Sequence, residues 1–95
     1  ATVAAEVARA RRIQQARQGC ANAFLDLTGL RSHCALSAED QQWLERACER
    51  LALSLRAAHR ILKVARTLAD LESSAAIGRQ HLAEALQYRP GSQAG

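Results

Sequence analysis

Ninety-five residues are enough for one small domain or for a piece of a larger protein, with a modest core. Hydrophobic residues make up 48% of the chain but only three are aromatic (Phe24, Trp43 and Tyr88), so alanine and leucine must build the interior. That composition suits close-packed helices and lacks the β-branched and aromatic enrichment of a strand-rich fold. Thirteen Lys plus Arg stand against nine Asp plus Glu, and nearly all the positive charge is arginine, whose planar fork grips phosphate and carboxylate. No apolar run is long enough to span a bilayer and no signal-peptide pattern opens the chain, so the expected setting is soluble, cytoplasmic and without a membrane partner. There is no methionine, so residue 1 is read as an excerpt or processing point. Three cysteines without paired spacing argue against a disulfide framework.

The first predicted helix covers residues 3–17. Val3, Val7, Ala10 and Ile13 or Gln14 recur at helical spacing, and Arg9, Arg11, Arg12 and Arg17 lie around the polar side. Gly19 is placed to end it in the left-handed conformation. Residues 20–27 form a connection anchored by Phe24, Leu25 and Leu27, and Thr28 is set to cap a short helix over residues 29–34. Ser37 opens the next helix with "SAED", a capping-box pattern carrying Asp in place of the usual Glu or Gln. Its inward residues are Leu44, Ala47, Cys48 and Leu51, with Trp43 beside them. Ser54 caps a long helix that runs to about Glu72, and "ESSAAIG" breaks the chain. A last helix over residues 79–88 turns Leu82, Ala85 and Leu86 inward. Pro90 stops it, and residues 89–95 read as a disordered tail. The expected architecture is all-α: four main helices and one short one in a single domain over residues 1–88, mostly antiparallel through short connections.

In the long helix the apolar positions cover well over half the circumference, which marks a central helix. The polar positions, 56, 59, 60, 63, 66, 67 and 70, form one narrow stripe. Most of it is positive. Asp70 can pair with Arg66 at i,i+4, which leaves the N-terminal end uncompensated. Arg56 lies in the first turn, where the helix dipole disfavours a cation by roughly 0.3–1 kcal/mol. An anion would compensate, and free N–H groups with an added guanidinium make a phosphate grip. The plain structural alternative is a solvated face held by surface acids such as Glu45 or Glu49, with Lys63 and Arg66 no more than surface.

Cys20, His33, Cys34, Cys48, His59 and His81 have no metal-site spacing, since neither C-x-x-C nor H-x-x-x-H occurs; no metal ligand is assigned. There is no nucleophile motif and no G-x-x-x-x-G-K-[ST] loop, so no catalytic residue is assigned and the chain is not expected to hydrolyse a nucleotide alone. An autonomous nucleic-acid module using the cationic stripe is the main rival reading, although no base-reading cluster stands out. A plain interaction domain that docks a partner helix is the other.

The stretch "LSLRAAHRILKVARTLADLE" resembles the C-terminal region of the ComM/YifB family of magnesium chelatase-like AAA+ ATPases. The resemblance extends to "ARQG", to "NA" just after Cys20, to "HCALS" and to "EALQYR", and so covers about residues 5–89. Departures are Ala58 where the family usually has tyrosine, Leu55 where alanine is common and Ser32 where a basic residue is usual; none removes a charge from the long helix. The resemblance implies a helical lid that follows an α/β ATPase core. The core carries the P-loop, the Walker B acid and the arginine finger, and binds ATP with Mg2+. The lid contributes the sensor-2 arginine to the ATP γ-phosphate; by motif that residue is Arg56, with Arg60 one turn on as an assisting candidate. The implied partners are the core domain of the same protein and neighbouring subunits of a ring, commonly a hexamer. ComM-type members are linked to natural transformation as ATP-driven DNA branch-migration motors, which makes DNA a partner of the whole protein.

Overall fold

The computed structural model describes residues 2–88. The predicted tail, residues 89–95, lies outside the described residues. Within them the fold is five α-helices and one 3₁₀ turn, with no strand. The helices are α1 (Val3–Gln18), α2 (Leu27–His33), α3 (Ala38–Arg50), α4 (Leu55–Leu71) and α5 (Arg79–Gln87), and the 3₁₀ turn is Asn22–Phe24.

Local chemistry sets the boundaries. Ser37 Oγ accepts from the Asp40 N–H at 3.2 Å and Ser54 Oγ from the Ala57 N–H at 3.1 Å, which places both N-caps where the sequence puts them. Gly19 ends α1 at φ +77°, a conformation that a Cβ disfavours. The short helix differs from expectation. Asp26, not Thr28, caps α2, because its Oδ1 reaches the Gly29 N–H at 2.8 Å, and the helix therefore starts two residues early, at Leu27. At α5 no side chain of Gly78 is available to cap. The reciprocal bond is made instead, with His81 Nδ1 accepting from the Gly78 N–H at 2.8 Å. That leaves the ring proton on Nε2, which donates to Glu72 Oε1 at 2.9 Å and ties α5 back to the end of α4.

Helix α4 is the central element and packs against α1, the 3₁₀ turn, α2 and α5. Its Ile61, Ala65 and Ala69 are buried with Leu25, Leu30, Cys34, Leu44, Ile77, Leu82 and Ala85 in one core. The small residues let α5 approach closely, and Ile61 is the largest side chain among the fully buried ones. The expected anchoring of the 20–27 connection falls to Leu25 alone. Phe24, at the end of the 3₁₀ turn, is 79% exposed, and Leu27, in the first turn of α2, is 48% exposed. Leu51 is also exposed, since α3 stops at Arg50 and Leu51 takes the cap position. Cys48 and Trp43 are half-buried. Arg79 stacks over the Trp43 ring at 5.3 Å and donates to Asp40 at 2.7 Å, joining α5 to α3.

Candidate functional site

The polar stripe of α4 divides into two halves with different surroundings. Its C-terminal half is buried. Arg66 is 3% exposed and Asp70 1%, which overturns the reading of Arg66 as solvated surface. The predicted Arg66–Asp70 pair exists, at 3.1 Å, but it is one edge of a larger network. Arg17 of α1 donates to both Asp70 oxygens, at 2.8 and 3.2 Å. Asn22 of the 3₁₀ turn donates to Asp70 Oδ2 at 2.9 Å and to Thr67 Oγ1 at 3.0 Å. The Asn22 N–H is held in turn by Gln14 Oε1 at 3.0 Å. Arg66 also donates to the carbonyls of Ser74 and Ala75, at 2.7 and 3.1 Å, which clamps the turn before α5.

Burial pushes the Asp70 carboxyl up, but hydrogen bonds from Arg17 and Asn22 and the charges of Arg66 and Arg17 outweigh it and hold the group below its ordinary value. Two guanidiniums around one carboxylate form a structural lock across α1, the 3₁₀ turn and α4. The helical spacing of α1 left Ile13 or Gln14 for the inward position and gave no sign of the network, because its members lie far apart in the chain. The signal was present in the quoted stretches "ARQG" and "NA", which contain Arg17, Gln18 and Asn22.

The N-terminal half of the stripe is open. Arg56 and Arg60 are exposed and have neither a hydrogen bond nor an ion pair among the described residues. The first turn of α4 holds no acid. Ser54 satisfies the N–H of Ala57, while helix geometry leaves the N–H groups of Leu55 and Arg56 without an intrahelical partner. The surface acids expected to hold this face, Glu45 and Glu49, form no ion pair with it. Lys63 is half-buried and its Nζ donates to the Ala23 carbonyl at 3.2 Å.

Arg56, His59, Arg60 and Lys63 rim a groove of about 640 Å³ that runs between α4 and the segment from Ala23 to Leu30. Leu27, Leu30, Val64 and Leu68 line its interior. The arrangement offers a phosphate-sized anion a helix N-terminus and two free guanidiniums. It offers no set of metal ligands: among the described residues no three of His, Cys, Asp and Glu come together. Burial pushes the Cys34 and Cys48 thiols up, so neither is an activated nucleophile.

Comparison with known proteins gives a consistent family. Residues 1–89 match the family described as magnesium chelatase, subunit ChlI C-terminal. The uncharacterized protein YifB of Escherichia coli K12 is 51% identical over 89 residues, which is 94% of this chain and 18% of that protein. The competence protein ComM of Haemophilus influenzae is 47% identical over 89 residues, with the same coverage of 94% and 18%. YifB of Salmonella typhimurium is 46% identical over 89 residues, again 94% and 18%. The chain thus spans about a fifth of the length of these curated relatives, in their C-terminal region.

Proposed function

The chain belongs to the magnesium chelatase subunit ChlI C-terminal family, shared with ComM and YifB, and on that premise we propose that it is the helical lid of a longer AAA+ ATPase. A core domain outside these residues would hold ATP and its Mg2+, and this chain would close over the nucleotide. The observation that carries the reading is Arg56. It is exposed, unpaired among the described residues, and sits in the acid-free first turn of a well-capped helix.

In this role Arg56 is the sensor-2 residue. Its guanidinium meets the γ-phosphate and stabilises the negative charge that develops there during transfer, while the dipole of α4 adds to the same field. Arg60, one turn further on, steadies the same charge. The rigidity of the role comes from the other half of the helix. The Asp70 network fixes α4 to α1, so a pull on Arg56 moves the domain as one body. Lid closure then couples nucleotide state to contacts between subunits of a ring. Because one relative is a competence protein, we extend the proposal to a motor acting on DNA in natural transformation. The fragment itself, on this reading, is no enzyme.

The test is Arg56→Ala in the full-length protein. Steady-state ATP turnover is expected to fall tenfold or more, a lower bound set against the ~10²–10³-fold lost when a donor to a developing charge is removed. Arg46→Ala, an exposed arginine on α3, serves as the charge-matched control and is expected to leave turnover unchanged. Wild-type turnover in Arg56→Ala would sink the assignment.

A further inference from the structure

The groove beside α4 joins two chemistries that a bare phosphate would not use together. Arg60 carries a guanidinium with no carboxylate partner among the described residues. The interior beside it is lined by Leu27, Leu30, Val64 and Leu68. Lys63, the only lysine of the chain, lines the same groove. It follows Arg60 by three residues on one helix face, a spacing that sets Cβ atoms roughly 5–6 Å apart. Its Nζ donates to the Ala23 carbonyl at 3.2 Å. That bond positions the amine without the ion pair that a carboxylate would impose, and no Asp or Glu lines the groove. Apolar walls and neighbouring cations are the surroundings in which a lysine amine serves as a nucleophile.

We infer that Lys63 is an acylation site whose acyl donor is a short-chain acyl phosphate. Arg60 takes the phosphoryl oxygens with its planar fork. The hydrocarbon of the acyl group lies against the leucine-lined interior, and its carbonyl carbon comes within reach of Nζ. Nζ first releases one proton to solvent. The neutral amine then attacks the carbonyl carbon and forms a C–N bond. The C–O bond to the phosphoryl group breaks, and inorganic phosphate leaves with the bonding electron pair and a second amine proton. The product is an amide, with no change of oxidation state. It removes the charge of Lys63 and leaves Arg56 and Arg60 as the open cations of the stripe. A phosphate-free acyl donor would leave Arg60 without a role, and a nucleic-acid backbone would leave the leucines without one. None of this depends on Arg56 touching ATP.

The test is a rate comparison within the full-length protein. It is incubated with acetyl phosphate, and acetylated peptides are followed over time by mass spectrometry. Lys63 should react about fivefold or more faster than the median lysine of the same protein, because Arg60 holds the donor beside it. With N-hydroxysuccinimidyl acetate, which carries no phosphate, that preference should shrink below about twofold. Arg60 is exposed and accepts substitution, and circular dichroism checks the fold. Arg60→Gln should slow Lys63 about fivefold or more with acetyl phosphate and leave its rate with the succinimidyl ester within about twofold. A Lys63 rate no higher than the median would overturn the proposal. So would an equal preference with both reagents, a rate untouched by Arg60→Gln, or a loss of reactivity toward both reagents in that variant. Arg56→Ala separates the two ideas: it should lower ATP turnover and keep Lys63 acetylation within about twofold, since Arg56 lies two turns from Lys63.

Discussion

Asp70 is the residue on which the most depends. It is 1% exposed and accepts bonds from Arg17 and Asn22 while Arg66 lies 3.1 Å away. A buried carboxylate is expensive to desolvate, and it is tolerable here because its lone pairs are filled and two guanidiniums oppose it. Removing it alone leaves Arg66 buried without its counter-charge. Asp70→Asn is therefore expected to lower unfolding stability by about 3–5 kcal/mol, measured by urea titration. The same residue sets an acid limb. Its folded-state carboxyl is held below the ordinary value, so the unfolded chain takes up the proton first as pH falls. The stability it contributes is complete above the unfolded value of about 3.9 and is lost as pH drops through the lower folded one. Urea midpoints of the wild type should hold steady to about pH 5 and fall below about pH 4, with a shallower fall in Asp70→Asn. The Arg66–Asp70 pair was legible as an i,i+4 spacing. Its burial was not, since that is decided by Arg17, 53 residues away, and by the turn carbonyls of Ser74 and Ala75.

Among the elements, α4 shows how a local cap sets the start of a helix. Ser54 satisfies the Ala57 N–H and so leaves the remaining N–H groups of the first turn directed outward around Arg56. Ser54→Ala is expected to cost about 1 kcal/mol of stability and to fray that turn. On the role proposed for Arg56, the same variant in the full-length protein should weaken ATP turnover more than its stability loss explains, because Arg56 loses its mounting. Turnover that simply follows the folded fraction would assign Ser54 to stability alone. The helices α1, α4 and α5 were readable to within a residue, and α3 at its start, because their signals are local: serine caps, a terminal glycine and period-3.6 leucines and alanines. The short helix was misplaced because Asp26 and Thr28 are both able caps, and only the approach of Asp26 to the Gly29 N–H decides between them. The outward turn of Phe24 was equally hidden, since a 3₁₀ turn too short for periodicity sets it.

At the scale of the whole molecule the net charge of +4 invites a nucleic-acid reading, and the fold redistributes that charge. Arg17 and Arg66 are spent inside on Asp70, and Arg79 on Asp40 and the Trp43 ring. What remains open on the α4 stripe is Arg56 and Arg60, with Lys63 half-buried beside them. Three cations on one face neutralise no more than about three phosphates, and the binding constant for duplex DNA should then fall with salt at a slope no steeper than about −3 on a double-logarithmic plot. Titration of the fluorescence of a labelled duplex with this chain, at several salt concentrations, measures that slope. The expectation is weak binding that vanishes near physiological salt, because so few released counterions cannot hold a complex there. A slope near −6 with tight binding would mean that α1 and α4 present their arginines to one backbone together. The lid reading of Arg56 would then give way to an autonomous nucleic-acid module.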